Sequence, residues 1–147
     1  MTALAANKER RTRNAHLMRV GAGTGADSSE FYEGAMVAHN NAGKIARAAD
    51  TANFKIAGIA RKRTTTGSSN TTKIEFEFGH EEWLICDANV VNAGIGLDGV
   101  ILDDGTVTNA ATATNDIRIG KITELETYKG VTGCWVQVGV LSTAAAA

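Results

Sequence analysis

The stretch Lys73–Phe78, Lys-Ile-Glu-Phe-Glu-Phe, limits the fold more than any other part of the chain. Ile74, Phe76 and Phe78 recur at every second position, with Lys73, Glu75 and Glu77 between them. That is the period of a strand with one face on a core and the other in water. Gly79-His80-Glu81-Glu82 interrupts the pattern, and Trp83-Leu84-Ile85-Cys86 then runs without a polar break. Were the Phe76–Phe78 phase to continue, His80 and Glu82 would be buried, which is costly unless each finds a partner. A bend at Gly79 resets the phase more cheaply. The stretch is therefore expected to be a corner between sheets, with Trp83 near an edge. The apolar run after it reads as a strand covered on both faces.

The rest of the chain continues in the same grammar. It has no proline and 16 glycines, so its turns fall to Gly, Asn and Asp. Ala35-Met36-Val37, a turn at Asn40–Gly43 and a return at Ile45 read as a hairpin. A second hairpin turns at Asp104-Gly105. Further strands are expected at Leu17–Val20, Phe54–Ala60, Asp116–Glu126 and Thr132–Leu141. Short strands with turns at close, regular spacing indicate an all-β fold, a small barrel or jelly-roll-like sandwich of antiparallel strands. Residues 1–16 form a basic N-terminal arm without an apolar stripe, expected to be extended or partly helical and not to pack on its own domain. Residues 17–141 form the β domain and 142–147 a C-terminal tail. Within the domain, residues 33–60 echo residues 97–123. The echo matches Gly34 with Gly99, Val37 with Leu102, Gly43 with Gly105 and Gly58 with Gly120, with a shorter hairpin loop in the second copy.

Charge is segregated although the net charge is only −1. Lys8, Arg10, Arg11, Arg13 and Arg19 crowd the N-terminus, whereas Glu75–Glu126 holds eleven acidic residues against Arg118 and Lys121. Opposite patches of this kind suit contact between copies or with a partner. No apolar run reaches the length of a membrane helix, and the N-terminus lacks the apolar stretch of a secretory signal. The chain is expected to stay in the compartment where it is made, with Cys86 and Cys134 as buried reduced thiols.

Chemical sites are weighed and set aside. Gly21-Ala22-Gly23-Thr24-Gly25-Ala26 matches the dinucleotide fingerprint in letters, but no helical period follows to hold a pyrophosphate. A flexible turn is the plainer reading. His80-Glu81 lacks the second histidine of a zinc motif, and position 84 is Leu84. No Gly-x-Ser-x-Gly elbow occurs. Glu81 and Glu82, adjacent on a strand, cannot flank one bond. The expectation is no enzyme, no metal and no cofactor. Arg61-Lys62-Arg63 and the arm could touch phosphates, but Phe76 and Phe78 face the core, so direct nucleic-acid binding is not expected.

Phe31-Tyr32-Glu33-Gly34-Ala35 through Ala57-Gly58-Ile59-Ala60, then Glu77–Trp83, Ile119–Glu126 and Gly133–Val140, together resemble the head decoration, or cement, proteins of tailed bacteriophages. The resemblance spans roughly residues 30–140 and rests on small-residue patterns in order. It implies an all-β virion protein, made in the host cytoplasm, that binds the outer surface of the assembled capsid. Such a protein bridges neighbouring major capsid proteins as a homo-oligomer, a dimer or trimer, and touches no membrane. On that reading Lys8, Arg10, Arg11 and Arg13 are capsid contacts, and Phe31, Tyr32 and Trp83 are apolar anchors. Two alternatives are another β-sandwich virion module, such as a tail, fibre or glycan-binding domain, and, more remotely, a nucleotide-binding enzyme using Gly21–Gly25.

Overall fold

A computed structural model describes residues 3–142; the tail expected over 142–147 lies outside these except for Ser142. Its strands are β1 (Thr12–Arg13), β2 (Arg19–Thr24), β3 (Glu30–Phe31), β4 (Met36–His39), β5 (Ile45–Arg47), β6 (Lys55–Ala60) and β7 (Thr64–Thr65). They continue with β8 (Lys73–Phe78), β9 (Glu81–Cys86), β10 (Asp98–Ile101), β11 (Thr106–Thr108), β12 (Arg118–Tyr128) and β13 (Val131–Val138). The only helical turns among the described residues are short, at Ala15–Leu17 and Asn92–Gly94. The all-β expectation holds.

The strands make two rings. In the first, β2-β8-β6-β4-β5 lie side by side, and a parallel bridge between Gly25 and Ile45 joins β5 back to β2. In the second, β9-β13-β12-β10-β11 close through the parallel pair β11–β9. The chain passes from one ring to the other at Gly79-His80, so the expected corner is there. Gly79 has φ +92°, and a Cβ on it would lie 2.5 Å from the Leu17 carbonyl oxygen. A residue with a side chain would meet strain and backbone together.

The rings are two copies of one topology. Val37 pairs with Gly58 and, across a bulge, Ala38 pairs with Ile56; Gly99 pairs with Gly120 and, across the same bulge, Val100 pairs with Arg118. The hairpins agree: His39 faces Ile45 as Ile101 faces Val107. The flanking strands agree too. Gly21 faces Phe76 as Glu82 faces Val136, and Ile59 faces Glu77 as Lys121 faces Gln137. Closure falls at Gly25 with Ile45 and at Cys86 with Val107. The echo read from the sequence is thus present, with one correction. No residues are missing from the second hairpin: Gly34 corresponds to Gly96 and Val37 to Gly99. Gly34 and Gly96 both have positive φ, and their amides bond the Ala60 and Ile122 carbonyls in the same way.

Two cores result. Phe31, Val37, Ile45, Ala57, Ala60, Ile74 and Phe76 fill the first ring. Leu84, Cys86, Ile101, Val107, Ile119, Ile122, Cys134, Val136 and Val138 fill the second, and that cluster continues onto Met36, Ala38 and Ile59 of the first. The rings therefore pack side by side through β4 and β6. Both cysteines are free and buried.

Three expectations need correction here. Gly21–Gly25 is not a turn: residues 21–24 lie on β2, paired to β8, and Gly25 follows with the bridge to Ile45. A Cβ at Gly21, Gly23 or Gly25 would meet Phe76 at 2.6 Å, Ile45 at 2.9 Å and Ile74 at 2.8 Å. The alternate glycines leave room for those large neighbours, which is a packing role. Trp83 is not near an edge, because β9 has β13 on one side and β1 with β11 on the other. His80 and Glu82 are fully buried, so the bend at Gly79 does not turn them out.

Candidate interaction surface: the docked arm

His80 and Glu82 lie in the core because the arm reaches them. Glu82 Oε1 is 2.7 Å from His80 Nε2 and accepts from Arg10 Nη2 at 2.7 Å; Glu82 Oε2 accepts from Arg10 Nε at 3.0 Å. Arg10 Nη1 also donates to Glu77 Oε1 at 2.5 Å. A bidentate guanidinium against a buried carboxylate is the geometry that makes such burial tolerable. Burial pushes the Glu82 carboxyl upward, but the bonds from His80 and Arg10 outweigh it and leave its pKa below the usual range. His80 Nδ1 has no acceptor, so the tautomer protonated at Nε2 fits the site.

The rest of the arm follows the same line. It does pack on its own domain, contrary to expectation. β1 adds to β9 with Thr12 opposite Glu82 and Arg13 opposite Glu81, and Trp83 N–H donates to the Arg11 carbonyl at 2.9 Å. Arg13 bonds Glu81 at 3.1 Å and stacks 4.2 Å from the Trp135 ring. Arg11 bonds Glu126 at 3.3 Å and lies 3.8 Å from the Tyr128 ring. Lys8 Nζ donates to the Trp83 carbonyl at 2.9 Å, and burial lowers its pKa to about 8. Further out, Leu4 N–H donates to Asp104, whose other oxygen accepts from Arg47. Lys8 N–H bonds the Glu33 carbonyl. The arm is thus a strap that touches both rings.

Lys8, Arg10, Arg11 and Arg13 are therefore gathered in one place, but the arginines are turned onto the chain's own acidic residues and Lys8 onto the Trp83 carbonyl. Trp83 joins them beneath the arm at 5% exposure, with its indole N–H on the Glu126 carbonyl. Phe31 belongs to the first core and has no exposed surface. Tyr32 lies apart, half-buried under Arg47 and Arg63. As surface anchors these aromatic positions are corrected: Phe31 and Trp83 are packing residues. What remains open is a cleft of about 170 Å³ lined by Lys8, Arg11, Trp83, Tyr128, Lys129 and Val131. Sequence reasoning missed Glu77, Glu126, Tyr128 and Trp135 as the arm's partners. The clustering of acidic residues in the second half was the available signal. Among the described residues no three His, Cys, Asp or Glu side chains gather as a metal site, and no helix is long and apolar enough to cross a membrane.

No protein-family model matches the chain, and no curated protein matches it.

Proposed function

We propose that the chain is a structural virion protein that binds the outer surface of an assembled phage capsid and bridges neighbouring major capsid proteins. One observation carries the reading: the stretches that resemble head decoration proteins form the framework of a doubled barrel. Their glycines and alanines serve packing and strand closure. A scaffold of this kind works by what its outside grips. Each copy that binds only the mature lattice lowers the free energy of that state, and the gain repeats over many sites. The arm's charges are engaged within the chain, so the gripping surface includes residues beyond the arm. Exposed apolar residues such as Leu17, Val20, Val91 and Ile95 are the available contacts.

Binding to purified heads tests the reading. The protein should co-sediment with expanded capsids at a fixed ratio to the major capsid protein, and much more weakly with procapsids. Equal recovery with both particles, or with neither, removes the proposal.

A further inference from the structure

The two rings differ at one corresponding edge. In the second ring, the edge of β9 over residues 81–83 carries β1. In the first, the corresponding edge of β2, Val20 to Ala22, has no strand beside it among the described residues. The bridge at Gly25 and Ile45 closes only the far end of that gap. Between the two sides lies an open cleft of about 420 Å³, with Val20, Gly21 and Ala22 on one wall, His39 and Ile56 on the other, and Phe76 among its lining residues. Where the second ring has Glu82 with Arg10 in the equivalent space, the first has Gly21 with the Phe76 ring packed against it.

An uncovered edge is a template for strand pairing, and natural proteins usually guard it with charge or a bulge. Here the free segment is Val-Gly-Ala, and Val20 is 53% exposed. The free charge at its margins is the reverse of that on β9, because the carboxylates across from Val20 and Ala22 on β8, Glu77 and Glu75, are already held by Arg10 and Arg61. β9 presents Glu81 and Glu82 and receives a basic strand. Arg19 begins β2, and Lys55 opens β6 next to Ile56; both are exposed and neither has an ion-pair partner among the described residues.

We propose that the β2 edge is a docking site for an extended acidic segment of a partner protein. The segment adds as a strand beside Val20–Ala22 and seats an apolar side chain in the cleft over Phe76. Main-chain hydrogen bonds supply affinity; the pocket and the two cations supply selection. The inference stands independently of the capsid reading, because it rests on the comparison of two edges within one chain.

The test uses the isotope-labelled full chain and two blocked hexapeptides, alternating Glu with Leu and alternating Lys with Leu. Amide shifts at residues 19–22 and at His39 should move and saturate with the acidic peptide and stay put with the basic one. Arg19→Glu, a change at an exposed position, should remove that preference. The proposal fails if the acidic peptide moves nothing, or if both peptides act equally. It also fails if the same amides move when the protein alone is concentrated, since a second copy would then be the occupant. Shifts confined to β9 and the arm would mean that the peptide displaces β1 instead, and would overturn it as well.

Discussion

The first and second rings solve one topology with opposite fillings. Along the strand that opens each ring, the first places Gly21, Gly23 and Gly25 where the second places Glu82, Leu84 and Cys86. The facing strand compensates: Ile74, Phe76 and Phe78 in the first, Cys134, Val136 and Val138 in the second. On β4 and β10 the sizes are exchanged again, Val37 against Gly99, where a Cβ would lie 2.6 Å from Val107. Register and summed volume are kept while individual residues are not, as expected of close-packed interiors. Glu82, with no exposed surface, stands where the first ring has Gly21, and the strand of the arm pairs with the second ring.

Removing the cover breaks that difference most sharply. Arg10→Ala leaves Glu82 fully buried with His80 as its remaining partner and should cost about 3–5 kcal/mol in urea unfolding. A loss below about 1 kcal/mol would show that the arm is not what makes the burial tolerable. Next come the paired glycines. A Cβ at Gly58 would meet the Glu77 carbonyl at 2.4 Å, and one at Gly120 the Gln137 carbonyl at 2.0 Å. Alanine at either should destabilise by about 1–3 kcal/mol, more at Gly120, whose φ is +154°. If only one of the two is sensitive, the rings are not equivalent there.

Volume exchange can be tested directly. Gly21→Ala should cost about 1–3 kcal/mol through its clash with Phe76, and Phe76→Val, the residue found opposite Glu82, should recover part of that loss in a double-mutant cycle. Simple additivity would refute the compensation. Acid should act through the second ring. Glu82 is held below the ordinary carboxylate range in the fold, so its contribution is complete above that range and disappears as pH falls through and below it. Thermal midpoints should drop over that window in the native chain and drop less in Arg10→Ala. Lys8 works in the other direction: its pKa of about 8 lies below the usual lysine value, so deprotonation from there upward should add stability that Lys8→Met no longer gains. The smallest effect belongs to the exposed pair on the first ring. Arg61 lies 3.1 Å from Glu75 with both side chains more than two-fifths exposed, and Arg61→Ala should change stability by less than about 1 kcal/mol.

Local signals carried the strands, and long-range ones were lost. Alternation at Lys73–Phe78, the Asp104-Gly105 turn and the corner at Gly79 were all legible, because each depends on residues that are neighbours in sequence. The echo was legible in its glycines, but matching Val37 to Leu102 required the register of the fold to correct it. The glycines of β2 misled because their reason, Phe76 and Ile74, lies on another strand. The arm misled for the same reason at longer range. An amphipathic stripe marks a segment that packs by apolar burial, whereas this one docks by ionic pairs to Glu77, Glu82 and Glu126. Two charge clusters were visible, but nothing local said that they meet within one chain.

The strap has a consequence for biosynthesis. Its residues leave the ribosome well before some of the carboxylates and rings they settle on: Glu126 follows Arg11 by 115 positions, and Trp135 follows Arg13 by a similar stretch. Those arm residues must wait for their partners until the later strands have emerged. A product stalled before Glu124 leaves Arg11 without Glu126 and Arg13 without Glu124 and Trp135.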